Sequence, residues 1–287
     1  MTSDPFVVNR SLLFTVGYEM LGSAADAEDV VQETWLRWAD VDQAQVGDPR
    51  SYLVKIVTRL ALNRLRALAR QRETYIGQWL PEPLLTSPGP AQDAEFAENI
   101  SIAMLTVLET LGPAERAVFV LREVFQTPYE EIADAVGKTP ATVRQIARRA
   151  REHVAARRPR MEVDLGEQEA AVERFLAAVA TGELQALMEV LAPDVVLIAD
   201  GGGVEPSARK PVIGASRVAV FLVRAATIPD FTLTSAWINA MPGARLHVAG
   251  APGALSLVTE GGLVTRIYAI RNPEKLRWLD KTAELTR

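Results

Sequence analysis

Cysteine is absent from the 287 residues, and histidine occurs only as His153 and His247. Without thiols there is no disulfide framework, thiolate zinc site or cysteine nucleophile, and two histidines so far apart make neither a metal site nor a catalytic triad. No catalytic residue, metal ion or cofactor is expected. Long apolar runs are also missing. Charge interrupts each one well before the ~20 residues a bilayer span requires, and residues 1–10 hold no apolar segment behind a basic start. A cytoplasmic location without a membrane partner is therefore expected. What remains is an ordinary globular composition, 48% hydrophobic and 23% charged, on a chain long enough for about two domains.

A net charge of −5 conceals strong segregation along the chain. Residues 49–72 carry seven basic side chains and no acid, and residues 138–160 carry eight basic side chains against Glu152 alone. Residues 11–48 are the reverse, with eight acids against Arg37, while residues 161–287 hold 12 basic and 15 acidic groups and are nearly balanced. Such separation points to different partners for different faces.

Apolar spacing of three and four residues makes the first half helical. Helix starts are marked by Ser23 with Asp26, by Asp48 before Pro49, by Thr127-Pro128-Tyr129-Glu130 and by Thr139-Pro140. Residues 76–99, with four prolines, four acids and no basic group, read as a flexible linker. Beyond residue 160 the pattern predicts helices over 166–180 and 183–191. Short β-branched runs then follow at 195–199, 231–238, 246–249, 255–259 and 263–270, as in a small α+β domain.

In the helix predicted over 49–72, Lys55, Arg59, Asn63, Arg66 and Arg70 share one stripe, and Leu53, Ile56, Val57, Leu60, Ala67 and Leu68 lie opposite. With no acid at i+4 to neutralise it, the stripe suits phosphate. Tyr52 and Tyr75 are candidates for stacking on unpaired bases or for core positions. The helices predicted on either side of Gly137 form a helix-turn-helix pattern. Its second helix buries Val143, Ile146, Ala147, Ala150 and Val154 and turns Thr142, Arg144, Gln145 and Arg148 to base edges or phosphate, with Lys138 and Arg149 on the backbone.

These residues resemble a known family. Asp26-Ala27-Glu28-Asp29-Val30-Val31-Gln32-Glu33-Thr34-Trp35-Leu36 resembles the helix with which bacterial sigma factors grip the RNA polymerase clamp. That likeness implies polymerase contacts by Asp26, Asp29, Gln32, Glu33 and Trp35. Residues 49–66 resemble the promoter-melting and minus-10 region, with the loop at 41–48 as the place for flipped bases, and residues 111–154 resemble the module that reads the minus-35 element. Two such modules are the layout of the extracytoplasmic-function (ECF) group. The remainder is similar to the subgroup with a fused C-terminal SnoaL-like domain. Its signatures stand here as Trp79-Leu80-Pro81-Glu82-Pro83, as Asp200-Gly201-Gly202-Gly203-Val204, where Val204 replaces a usual lysine, and as Asn272-Pro273-Glu274-Lys275-Leu276.

The resemblance implies a multidomain chain: two all-α sigma modules, the second containing the helix-turn-helix, followed by an α+β cone-shaped SnoaL-like domain. The expected bounds are 1–75, a linker at 76–100, 101–160 and 161–287. RNA polymerase core and promoter DNA are the implied partners, with the two modules tethered flexibly. The third domain is expected to contact the linker near residues 79–83 and to regulate in cis through the three signatures, with a small-molecule ligand as a further possible partner. An alternative is a one-component DNA-binding regulator whose cone senses a ligand or retains catalysis, for which Asp200, Asp230, His247 and Tyr268 are the polar candidates. That alternative leaves the motif at 26–36 unexplained.

Overall fold

The computed structural model describes residues 4–72, 75–88, 94–160, 164–204 and 207–287, the side chains of 69–72 and 94 apart. The chain runs through helices α1 (Pro5–Leu21), α2 (Ala24–Ala39) and α3 (Pro49–Arg72), strand β1 (Leu85–Thr86), and helices α4 (Ala94–Asn99), α5 (Ile102–Leu108), α6 (Pro113–Phe119), α7 (Tyr129–Val136), α8 (Pro140–Ala155), α9 (Leu165–Thr181) and α10 (Leu184–Val190). Strands β2 (Leu191–Asp200) and β3 (Val212–Ile213), helix α11 (Ala215–Ala226), and strands β4 (Thr232–Ile238), β5 (Met241–Val248), β6 (Ala251–Glu260) and β7 (Leu263–Ile270) complete it. It divides into two compact units, one of residues 1–74, 107–158 and 284–287, the other of residues 75–106 and 159–283.

In the first unit α1, α2, α3 and α8 each begin where a short polar side chain takes up an orphan amide. Asp4 accepts from the Phe6 N–H, Ser23 from the Asp26 N–H, Asp48 from the Ser51 N–H and Thr139 from the Thr142 N–H. The start of α7 differs from expectation: Pro128, not Thr127, occupies the cap position, with no side-chain cap. Helices α1 to α3 close on Leu13, Val16, Met20, Leu53, Val57 and Ala61, all fully buried. Gly17 allows α1 to cross α2 closely, since a Cβ there would lie 3.2 Å from Val30 Cγ2. Helix α3 also packs against α6 and α7. The two helical modules therefore form one body, not the pair of separately tethered modules expected.

Glu19 lies at the centre of that body. Its carboxyl is fully buried with no hydrogen-bond partner among the described residues, and burial pushes its pKa up to about 8 against the opposing pull of Arg116. The Arg116 guanidinium, also buried, donates to the Glu19 carbonyl oxygen at 3.0 Å and pairs with Glu109 at 2.7 Å. A carboxyl held protonated by the fold stabilises it fully below the unfolded value near 4.5, and that contribution is lost as pH rises towards about 8. The Glu19→Gln variant should remove this loss. Thermal unfolding should show it more stable than the parent at pH 8.5, by on the order of a few kcal/mol, and little different at pH 4.5. A difference independent of pH would show that Glu19 is not the titrating group.

The second unit is a seven-stranded sheet in the order β1-β4-β5-β6-β7-β2-β3, antiparallel throughout except for β2 beside β7. Alternation along the strands turns Leu197, Ala199, Leu246, Leu255 and Ala269 into one core with Phe175 of α9, Leu187 of α10 and Val218 and Leu222 of α11. The same alternation sends Ile198, Asp200, Tyr268 and Ile270 to the opposite face. Between β4 and β5, Asn239 and Ala240 have φ of 54° and 57°, as a two-residue hairpin of the right twist requires.

The segment expected as a flexible linker is structured where it is described. Residues 75–88 belong to the second unit, β1 adds to the sheet edge beside β4, and Leu80 and Leu84 are fully buried. Residues 101–106, expected in the second helical module, cluster with this unit as well.

Candidate nucleic-acid interface and linker clasp

Helix α8 buries Val143, Ile146, Ala147, Ala150 and Val154. A 100° helical step then leaves Thr142, Arg144, Gln145, Arg148 and Arg149 exposed, with Lys138 exposed just ahead of the helix. Gly137, at φ 68°, makes the turn that places α8 across α7. Arg144 lies 2.9 Å from Glu130 and Arg148 3.9 Å from Glu152, both in solvent-exposed pairs that DNA phosphates can displace.

The basic stripe of α3 is divided. Asn63 and Arg66 are exposed, with Arg66 Nη1 donating to Asn63 Oδ1, and the side chain of Arg70 lies outside the described ones. Lys55 and Arg59 are taken up by α7. Lys55 Nζ lies 2.5 Å from Asp134, Arg59 donates to the carbonyl oxygens of Asp134 and Ala135, and Ser51 Oγ donates to Glu131. The hydrogen bond from Lys55, joined by the charges of Lys55 and Arg59, holds the Asp134 carboxyl below the usual carboxylate range. The stripe lacks acids within its own helix, but α7 supplies them. Ala67, expected on the packed face, is exposed.

On α2, Asp29, Gln32, Glu33 and Trp35 are exposed beside Leu36. Trp35 at 48% and Leu36 at 57% exposure form an apolar step within an acidic surface, the composition of a protein-docking patch. Asp26 differs from its four partners. It is mostly covered and bonded to Arg64 Nε at 2.7 Å, so it staples α2 to α3.

The three sequence signatures of the second unit converge. Asp200, with no exposed side-chain surface, lies 2.7 Å from Lys275 Nζ, accepts from the Leu80 N–H at 2.9 Å and from the Tyr75 hydroxyl at 2.5 Å. Lys275 also donates to the Leu80 carbonyl oxygen at 2.6 Å and stands 3.3 Å above the Trp79 ring. Asn272 donates to the Tyr75 oxygen. Gly202, at φ +64°, is needed because a Cβ would come within 2.6 Å of Asn272. Pro81 and Pro83 are buried, Glu82 half-buried, Gly201 buried and Leu276 buried, while Gly203, Pro273 and Glu274 face outward. Val204 is 75% exposed.

Tyr75 is thus a clasp residue, not a base-stacking one. Burial, then its bond to Asp200, pushes its phenol pKa well above the ordinary value. Asn239 also acts here although the sequence did not single it out. Its Oδ1 accepts from the Leu84 N–H at 2.9 Å and its Nδ2 donates to the Ile100 carbonyl oxygen at 3.0 Å. Asn-Ala between two β-branched runs was the available signal. None of the four polar candidates for catalysis lines the cavity of the cone. Asp200 is in the clasp, Asp230 and His247 are exposed, and Tyr268 is on the opposite sheet face, its pKa raised by burial.

A helix-turn-helix module, an acidic-apolar docking helix with a basic helix beside it, and an α+β cone together define the architecture of a sigma factor carrying a SnoaL-like domain. Family models for Sigma-70 region 2 and for Sigma-70, region 4 match residues 6–71 and 101–154. The chain belongs to the ECF RNA polymerase sigma factors. It is 35% identical over 291 residues to the ECF RNA polymerase sigma factor SigJ of Mycobacterium tuberculosis, spanning 96% of this chain and 93% of that one. It is 31% identical over 272 residues to the probable ECF RNA polymerase sigma factor SigI of the same species, spanning 93% and 92%. The crystal structure of M. tuberculosis SigJ matches with a TM-score of 0.76 at 33% identity, over 96% of this chain and 98% of the other. The protein is an alternative sigma factor, with RNA polymerase and promoter DNA as its partners. Among the described residues no helix is long and apolar enough to cross a membrane.

Proposed function

We propose the following division of labour. Arg144, Gln145, Arg148 and Thr142 read the minus-35 element, with Lys138 and Arg149 on its backbone. Lys55, Arg59, Asn63, Arg66 and Arg70 hold the minus-10 strand. Asp29, Gln32, Glu33 and Trp35 dock on polymerase. Lys55 and Arg59 must exchange the Asp134 carboxylate for phosphate when promoter is engaged, so the packing of α7 on α3 holds a DNA-avoiding state. The SnoaL-like domain regulates in cis through the linker and has no catalytic role.

The observation that carries this reading is the clasp. The segment joining the two sigma modules is bonded into the third domain by Asp200, Asn239, Asn272 and Lys275. The Tyr75→Phe, Asn239→Ala double variant removes four hydrogen bonds between residues 75–100 and the third domain, two at each residue, without touching any proposed DNA or polymerase contact. Promoter-specific transcription with core polymerase should change at least threefold relative to the parent. Unchanged output from a variant whose residues 75–88 have become protease-sensitive would overturn regulation through the linker.

A further inference from the structure

Tyr129, the first residue of α7, is the meeting point of three arginines. Two guanidiniums stand over its ring, that of Arg122 at 4.6 Å from the centroid and that of Arg144 at 5.4 Å. The third, Arg151, is hydrogen-bonded to the Tyr129 side chain. Arg144 and Arg151 belong to α8, about two turns apart, and Arg122 comes from residues 120–124. Each is held at a second point. Arg122 donates to the Thr127 carbonyl oxygen at 3.1 Å, Arg151 lies 3.0 Å from Glu123, and Arg144 lies 2.9 Å from Glu130. All of these residues lie within the first unit.

We propose that Tyr129 is a positioning residue for promoter reading: its ring holds Arg144 ready for the minus-35 bases, while Arg122 and Arg151 hold the ring. Glu130 is a poor guide for a recognition arginine, because its carboxylate repels the phosphates that Arg144 must approach and the pair is exposed to water. The ring carries no net charge and stays in place when DNA arrives. It attracts the charge of the guanidinium without consuming its N–H donors, so an arginine held there keeps the fork with which it reads a guanine. Side-chain freedom that Arg144 gives up before binding is not lost again on binding. This role rests on the reading of Arg144 as a minus-35 contact and extends it to a residue that acts through another.

The test is transcription by the full chain with core polymerase from a promoter library randomised across the minus-35 element, with the transcripts sequenced. Arg144→Ala identifies the position that Arg144 reads, as the one where base preference flattens. Tyr129→Leu should weaken the preference at that same position about two- to fivefold, the worth of one cation–π contact at a partly exposed ring, and leave the other positions unchanged. Tyr129→Phe keeps the ring and should keep the preference. A ratio between bases does not depend on how much of the protein is folded, so a merely structural defect lowers all transcripts alike. If Tyr129→Leu does not fold, Tyr129→Met takes its place with the same expectation. A preference that is unchanged without the ring, weakened equally at every position, or weakened as much in Tyr129→Phe overturns the positioning role. Base preferences that all survive Arg144→Ala remove Arg144 from the minus-35 element, and the role of Tyr129 with it.

Discussion

Replacing Arg144 and Arg148 together by alanine should cut promoter-specific initiation by at least a hundredfold while leaving the melting temperature within about 2 °C of the parent. Both side chains leave the exposed face of α8, the recognition helix, Arg144 in its second turn and Arg148 one turn further on. A well-placed arginine on a guanine contributes about 1–3 kcal/mol of discrimination, and each 1.4 kcal/mol is about tenfold, so two such contacts account for the loss. Stability should hardly move. The pairs they give up, with Glu130 and Glu152, lie at the surface, where an ion pair is worth about 0–1 kcal/mol. Run-off transcription from a cognate promoter, with core polymerase in excess, reads the first quantity and calorimetry the second. A double variant that folds and retains more than a tenth of the parent's activity would remove α8 from promoter reading.

The opposite signature is expected at Lys275. Its ammonium and the Asp200 carboxylate are 4% and 0% exposed and 2.7 Å apart, and truncating one partner strands the other in a dry site. Lys275→Ala should therefore cost about 3–5 kcal/mol, lowering the melting temperature by on the order of 10 °C. Part of the loss is the stacking over Trp79 and the bond to the Leu80 carbonyl, so residues 75–84 should loosen and become protease-sensitive first. The Lys275→Met, Asp200→Asn pair removes both charges and should recover more than half of the lost stability. If the single variant melted like the parent, the clasp would be an ornament of the surface, not a structural centre.

The two effects differ because of where the residues lie in the fold, and only one of those positions was legible beforehand. Helix α8 announces itself locally, with Thr139 as cap, Pro140 in the first turn and apolar positions three and four apart. All of that is contained within one turn or two of the chain. Helix α11 is hidden in the sequence because the valines Val218, Val220 and Val223 favour strand, yet Val218, Ala219 and Leu222 fall on one helical face and are buried. The start of β5 is hidden in a similar way. Pro242 and Gly243 read as a turn, but Gly243 is in the strand because a side chain there would collide with the Leu255 carbonyl oxygen at 2.5 Å.

Charge segregation, the caps of α2, α3 and α8, the helix-turn-helix and the three signatures were written in the sequence, since each depends on residues near one another in the chain. Which groups become partners was decided only in three dimensions. Nothing local joins Tyr75 to Asp200, Leu80 to Lys275, Asn239 to Ile100, or Lys55 to Asp134, with 125, 195 and 139 positions between the first three pairs. A basic stripe without neighbouring acids is free only if no other helix brings them, and a proline-rich segment is flexible only if no sheet edge pairs with it. Both conditions are set by packing, which buries Leu80 and Leu84 and then obliges every polar group beside them to find a partner.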